Sequence, residues 1–253
     1  MKRTLCFLVV LSFYSLHAQE TIPNKFSIGF NFSPDVVCYR TLHNKQGGVG
    51  GAAVIKSRNS IETEKFGYTT GLNINYTHSK RILFETGIQY SNKGYKTKNV
   101  ALDPGSPTPD PAMPLSARGI YSYQYIGIPL KANFIIGRGP IMMSKKRNLG
   151  NNKFYMFASG GFMTNFLLNT RQVIIFEYAD GRKTENKTGS TKDFNKIDIS
   201  LLAGLGGGYN ISKKVLLTWE PTFRFGLIST KDAAITEKLW NVGVNFGVHY
   251  NIP

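Results

Sequence analysis

Residues 240–252 read WNVGVNFGVHYNI, and they alternate between apolar residues and small or polar ones at every position. Trp240, Val242 and Val244 begin the apolar set, while Asn241 and Gly243 begin the polar set. Successive side chains of a β-strand point to opposite faces of the sheet, so a period of two predicts a strand with one apolar face and one polar face.

The same alternation recurs in seven other stretches, which gives eight predicted strands in all: 26–33, 66–77, 82–91, 120–136, 154–169, 197–211, 215–227 and 240–252. The connections alternate in length, apart from a longer basic one at 137–153. The long connections are 34–65, 92–119, 170–196 and 228–239, and the short ones are 78–81 and 210–214. Short turns at one rim and long loops at the other are typical of outer-membrane β-barrels, in which the long loops are external.

One of the long connections contains a turn signal of its own. Residues 178–183 read YADGRK, and Asp-Gly is a strong signal for the tip of a β-hairpin. We therefore expect the third long loop to continue its two strands outward.

Alternation alone is compatible with two kinds of barrel, a soluble lipocalin-like barrel with its apolar face inside and a membrane barrel with its apolar face outside. The polar face is mostly Gly, Asn and Ser with single charges, whereas the other face is rich in aromatic and branched aliphatic residues. Small residues suit the interior of a narrow barrel, and large apolar residues suit contact with lipid. The sequence therefore predicts an all-β fold, an eight-stranded antiparallel up-and-down transmembrane β-barrel.

The N-terminus has the features of an export signal. Lys2 and Arg3 precede an apolar stretch from Leu5 to Leu16, and Ala18 stands at a plausible cleavage point. We expect a signal peptide over 1–18, a barrel domain over 19–253 and a location in the outer membrane.

Five charged residues fall on the polar face and are expected inside the barrel: Glu85, Lys131, Asp198, Glu220 and Arg224. Isolated buried charges are very costly, so mutual pairing is expected. An eight-stranded barrel leaves room for side chains and little else, which favours a structural role over a path for protons or ions.

The stretch 125–134, YIGIPLKANF, carries a proline and a lysine in the middle of a predicted strand. Parity places Pro129 and Lys131 on the interior face, where Lys131 can pair with Glu85 of the neighbouring strand. Proline has no N–H for the ladder, so we expect a bulge or a missing ladder bond at Pro129. Three tyrosines are also expected to point inward: Tyr121, Tyr123 and Tyr125.

The same stretch resembles the Tyr-x-x-Ile-Pro-Leu strand of PorT-type outer-membrane β-barrels. Residues 84–96, FETGIQYSNKGYK, are similar to the preceding strand of that family, and 203–211 with 215–227 resemble its sixth and seventh strands. Many members carry an acid where this chain has Gly127. The resemblance implies a porin-family barrel with eight strands in the outer membrane, and some members of the family serve type IX secretion.

The net charge of the chain indicates which kinds of partner it could bind. The chain has 31 Lys and Arg against 15 Asp and Glu, a net charge of +16. For an exported protein, outer-membrane lipid and lipopolysaccharide phosphates are more plausible counterparts than nucleic acid, although lysine in loops also serves solubility. Lys145, Lys146 and Arg147 form a candidate periplasmic docking site for an envelope or secretion protein.

The sequence shows no pattern for catalysis, a metal ion or a cofactor. The GLGGGY stretch at 204–209 lies within a strand, without the following helix that a phosphate loop needs. We expect its glycines to make room for larger interior neighbours. His43 lies in a glycine-rich loop without a serine–acid setting.

The leading hypothesis is therefore a small non-enzymatic outer-membrane barrel that acts through its external loops as an envelope binding or accessory protein. Two alternatives remain, a component of a secretion machine and a lipid-modifying enzyme.

Overall fold

A computed structural model describes residues 25–102, 113–138 and 153–252, which form ten strands and one helix. In chain order these are β1 (Phe26–Asn44), α1 (Val49–Ile61), β2 (Glu62–Thr77), β3 (Ile82–Thr97), β4 (Val100–Ala101), β5 (Pro114–Arg138), β6 (Phe154–Tyr178), β7 (Lys183–Thr188), β8 (Ile197–Asn210), β9 (Val215–Gly226) and β10 (Ile235–Ile252). The expected signal peptide lies outside the described residues. Within the described ranges, no helix has the length and hydrophobicity needed to cross a membrane.

Eight of the strands close into a ring. Their order is β1, β2, β3, β5, β6, β8, β9 and β10, and each is antiparallel to the next. The ring closes because β10 pairs with β1 from Phe26↔Ile252 to Asn44↔Ile235. The eight-stranded antiparallel barrel is thus confirmed. The short strands β4 and β7 pair with β5 and β6 respectively.

The two faces of the wall have opposite chemistry. On β10, Asn241 and Asn245 point inward and are 2% and 7% exposed, whereas Phe246 and Val248 point outward and are each 51% exposed. A soluble barrel would bury the apolar face. The observed arrangement is that of a barrel whose outer surface contacts lipid, as predicted.

The strands run further than alternation predicted. β1 continues to Asn44 rather than ending at 33, β5 begins at Pro114 rather than at 120, and β6 reaches Tyr178 rather than 169. Beyond the lipid band the outer face meets water, so it has no need to be apolar and the alternation fades. Much of the four predicted long loops is therefore strand, and α1 is a helix within the stretch that was predicted as a loop.

A bulge in β1 changes which residues face inward. The pairing of β1 with β10 shifts between Phe32 and Val37, and its pairing with β2 shifts between Asp35 and Cys38. Asp35 is fully buried before the shift, and Arg40 is buried after it, although their positions have opposite parity. A bulge adds one residue to one strand, so the interior set moves from odd to even positions.

The ladder is interrupted at Pro129 without a bulge. The β3–β5 register is the same on both sides, with Thr86↔Leu130 and Gln89↔Gly127, but the two positions between them are unpaired. The expectation of a missing ladder bond is confirmed, because proline offers no N–H. The inward tyrosines are also as expected, since Tyr123 and Tyr125 are buried and Tyr121 is half-buried.

The third long loop contains the predicted hairpin. β6 and β7 are joined by a turn in which Gly181 has a φ of 78°, and the Tyr178 N–H donates to the Arg182 carbonyl over 3.0 Å. Together with α1 and β4, this hairpin defines the long-loop end of the barrel. The connections 78–81 and 211–214 define the short-turn end. In outer-membrane barrels the long-loop end is external and the short-turn end is periplasmic.

Candidate functional site

The centre of the barrel holds three of the five predicted interior charges in one cluster. Lys131 of β5 lies with its Nζ 3.1 Å from Glu85 Oε2 and 2.8 Å from Glu220 Oε2. Glu220 also accepts a hydrogen bond from Ser159 of β6. Glu85 is on the neighbouring strand β3, whereas Glu220 is on β9, so Lys131 links strands across the interior.

The other two predicted residues have separate partners. Asp198 Oδ2 lies 3.3 Å from Lys93 Nζ and accepts a hydrogen bond from Asn165 over 3.2 Å. Arg224 Nη1 lies 2.8 Å from Asp35 Oδ1. The structure therefore brings Glu85, Lys131 and Glu220 together, and it places Asp198 and Arg224 in two ion pairs of their own.

Lys93 and Asp35 were missed because both lie outside the predicted strands. The sequence did contain a signal for Lys93. It occupies an odd-numbered position, as do the inward-facing Glu85, Gln89 and Ser91 of the same strand. Asp35 has the parity of the interior residues of β1, but it lies in a stretch where the alternation breaks down.

A fourth cluster, also missed, lies where α1 meets the barrel mouth. Arg58 of α1 lies 2.6 Å from Glu62 and 2.9 Å from Glu237, and it donates to Tyr95 Oη over 3.0 Å. Tyr123 Oη donates to Glu237 over 2.9 Å. Burial lowers the pKa of Arg58, but its hydrogen bonds to Glu62 and Glu237 outweigh burial and raise the pKa above its ordinary value.

The described interior is therefore filled and almost neutral. Six acids and five bases line it, and each has an ion-pair partner: Asp35, Glu62, Glu85, Asp198, Glu220, Glu237, Arg40, Arg58, Lys93, Lys131 and Arg224. Two interior cavities among the described residues measure about 20 and 50 Å³. A water molecule needs on the order of 10–15 Å³ of such volume, so these cavities hold a few waters at most.

The glycine-rich stretch of β8 has the role that the sequence indicated. A Cβ on Gly204 would overlap Glu220 and Ser159, and one on Gly208 would overlap the ring of Tyr155. These glycines leave room for larger interior side chains, and here the prediction is confirmed.

The histidine singled out from the sequence lies in a strand. His43 is in β1 opposite Thr236, whose hydroxyl donates to the His43 carbonyl over 3.3 Å. The prediction that His43 lies in a glycine-rich loop is wrong, because the strand continues past the bulge. Among the described residues, no group of three His, Cys, Asp or Glu side chains is placed to hold a metal ion. Lys145, Lys146 and Arg147 lie outside the described residues, so their docking role remains a prediction.

A larger cavity, about 320 Å³, opens on the outer wall at the long-loop end. β2, β3, β5, β6 and β7 contribute to it, together with the residues that follow β3, and its charged lining residues are Lys96, Lys98, Arg118, Glu177 and Lys183. We call it the wall cavity. Sequence reasoning missed it because its residues lie in stretches that were predicted as loops.

Comparison with known proteins supports the fold. The model of the family described as "Outer membrane protein beta-barrel domain" matches residues 17–232. No curated protein matches the chain significantly. The finer resemblance to PorT-type barrels remains a prediction, because the matching model is that of the broader domain.

Several solved structures are similar to the chain. OprG from Pseudomonas aeruginosa is 10% identical, with 90% of this chain and 97% of that chain covered and a TM-score of 0.44. Neisserial surface protein A is 10% identical, with 90% and 97% covered and a TM-score of 0.38. Ail from Yersinia pestis, solved with the heparin analogue sucrose octasulfate, is 11% identical, with 89% and 99% covered and a TM-score of 0.27.

Proposed function

Because the chain belongs to the outer membrane protein beta-barrel domain family, we propose that it is a non-enzymatic barrel that acts through its external part as an envelope binding or accessory protein. The external part is the long-loop end with α1, β4, the β6–β7 hairpin and the wall cavity. Outer-membrane lipid, lipopolysaccharide and other envelope proteins are the partners that this location offers.

One observation carries the proposal, the contrast between the interior and the long-loop end. The described interior is occupied by paired charges with cavities of about 20 and 50 Å³, while the wall cavity outside measures about 320 Å³. A small barrel packed in this way serves as a rigid support, and binding then falls to the segments that it displays.

Complementation of a gene deletion tests this function. In the test variant, residues 174–186 are replaced by a two-residue Asn-Gly turn. This turn then connects Val173 and Lys187, which are paired in the β6–β7 hairpin. The matched control removes two charges at the other end of the barrel, Lys213→Ser with Lys214→Ser. The measurements are outer-membrane permeability to a hydrophobic dye and the heat-modifiable mobility of each barrel.

We expect the wild type and the control to restore the permeability barrier, and the shortened chain to fold without restoring it. Full restoration by the shortened chain would contradict the proposal. Failure of the control alone would favour a partner at the short-turn end, as in a secretion machine. A change in lipid A composition on His43→Ala, followed by mass spectrometry, would point to an enzyme instead.

A further inference from the structure

The wall cavity lies beyond the lipid band, on the outer surface of the barrel. On β3 the outward residues include Ile88 and Tyr90, and the ring of Tyr90 packs against that of Tyr68 at 5.9 Å. Lys96 lies on the same face, six residues further along β3. With about 3.3 Å per residue and a strand tilt of about 40°, the cavity is roughly 15 Å above this aromatic pair. That height corresponds to the saccharide layer of an outer leaflet rather than to its acyl chains.

The cavity is lined by four cations and one carboxylate. Glu177 lies 3.3 Å from Lys183 and accepts a hydrogen bond from Asn99 over 3.4 Å. Lys98 donates to the Ser60 carbonyl at the end of α1 over 2.9 Å. The only carboxylate of the lining is thus already engaged, and the cavity has an excess of positive charge.

Two of the cations are placed together, and the carboxylate near Lys96 is that of the exposed Glu64, which lies outside the lining. Lys96 pairs with Ile120 across β3 and β5, and Arg118 is two residues from Ile120 on the same face. Within the described residues neither Lys96 nor Arg118 has an ion pair. Diagonal neighbours of this kind lie about 7–8 Å apart, a separation at which like charges repel unless an anion lies between them.

The remaining lining suits an anion carried on a sugar. Arginine presents a planar fork that matches a phosphate group in bidentate fashion, and lysine adds a second charge-assisted hydrogen bond. Thr63 and Asn99 are polar groups able to contact sugar hydroxyls, and Ile175 provides an apolar contact. A volume of about 320 Å³ accommodates a group of the size of one phosphorylated saccharide.

We propose that the wall cavity binds a phosphate group on the saccharide part of the lipopolysaccharide that surrounds the barrel, with Lys96 and Arg118 as the main contacts. The inference rests on the proposed function and deepens it by assigning one chemical group of lipopolysaccharide to one site. This source is favoured because Lys96 and Arg118 lie on the outward face of the wall, which the leaflet surrounds.

The test uses the complete chain purified in mild detergent. The test variant is Lys96→Ser with Arg118→Ser, the matched control is Lys213→Ser with Lys214→Ser, and the rescue variant is Lys96→Arg with Arg118→Lys. Each is titrated with lipopolysaccharide that has a phosphorylated core and with the same material after chemical dephosphorylation. Heat-modifiable mobility verifies that each barrel is folded.

We expect the test variant to bind the phosphorylated material about tenfold more weakly than the wild type, because it loses two solvent-exposed charge contacts. The control should change by less than about twofold, since exposed charges far from a site contribute little. The rescue variant should recover most of the affinity, and dephosphorylated material should bind weakly to all four proteins.

Equal affinity of the test variant and the wild type would overturn the inference, and so would equal affinity for the two lipopolysaccharides. Inorganic phosphate or a soluble sulfated sugar that binds as tightly as the phosphorylated lipopolysaccharide would assign the site to a soluble ligand and contradict the proposed source. If the test variant binds normally while the shortened hairpin fails to complement, the proposed function stands and this inference is wrong. If the test variant loses binding while the shortened hairpin complements fully, the proposed function is wrong instead.

Discussion

Lys131 illustrates how single residues hold this barrel together. Its ammonium group lies between two buried carboxylates, with Nζ distances of 3.1 Å to Glu85 and 2.8 Å to Glu220. Asn73 and Asn133 also donate to Glu85, over 3.1 and 3.4 Å. Removing the lysine would leave two carboxylates close together without a counter-charge, and an uncompensated buried charge costs more than the ion pair itself contributes.

We therefore predict that Lys131→Met lowers the free energy of unfolding by about 3–5 kcal/mol. The measurement is urea unfolding of the folded barrel in lipid vesicles, followed by tryptophan fluorescence. Lys213→Met, in the exposed turn between β8 and β9, is the control and should change stability by less than about 0.5 kcal/mol. A loss below about 1 kcal/mol for Lys131→Met would show that the cluster contributes little.

Sequence reasoning could place some interior residues but could not assign most of their partners. Lys131 and Glu85 share the interior parity on adjacent strands, so their contact follows from alternation alone. Arg224 was also placed inside, but its partner Asp35 precedes a bulge that interrupts the alternation of β1. Arg40 follows that bulge and faces inward only because the register shifts.

At the level of elements, the ion pairs that anchor α1 lie at its C-terminal end. The helix has no buried residue, and at its N-terminal end the Asn44 side chain donates an exposed hydrogen bond to the carbonyl of the N-cap Gly48 over 3.2 Å. The ion pairs of Arg58 with Glu62 and Glu237 hold its C-terminal turn at the barrel mouth, and Asn59 accepts a hydrogen bond from Arg40 over 2.9 Å. A helix without an apolar face in contact depends on such polar contacts for its position.

We predict that Arg58→Ala releases α1 while the barrel stays folded. Amide hydrogen exchange of residues 49–61 should accelerate by a factor of about 10–100, which corresponds to the loss of one charge-assisted hydrogen bond. Lys56→Ala, on an exposed position of the same helix, is the control and should leave exchange unchanged. Unaltered exchange in Arg58→Ala would mean that other contacts position the helix.

The elements also show where the sequence was informative and where it was not. The predicted start of β3 at Ile82 and of β6 at Phe154 agrees with the structure, because the short-turn end lies beside lipid, where alternation is enforced. The opposite ends of the same strands continue to Thr97 and Tyr178. In that region hydrogen bonds of the ladder extend the wall, and the outer face has no apolar requirement.

The molecule as a whole is a closed wall around a polar interior whose charges are paired. The ion-pair clusters lie at successive heights, from Arg58 at the long-loop end through Lys93 and Arg224 to Lys131 nearer the short-turn end. Each cluster joins residues from different strands, so together they tie the wall across its interior. This arrangement rigidifies the barrel and removes the water-filled path that ion conduction needs.

The paired charges that fill the interior predict that the barrel does not conduct ions. They also predict that conduction stays absent when α1 is removed. In planar bilayers, the wild type should give no stable current, and neither should a variant in which residues 49–61 are replaced by a Gly-Ser linker of equal length. The deeper clusters of Lys93, Arg224 and Lys131 remain in that variant and still fill the interior. A variant in which Glu85, Lys131 and Glu220 are all replaced by serine should also give no stable current, because the clusters of Lys93 and Arg224 still fill the interior. Steady current through the linker variant, with none through the wild type, would instead make α1 the plug and the barrel a gated pore.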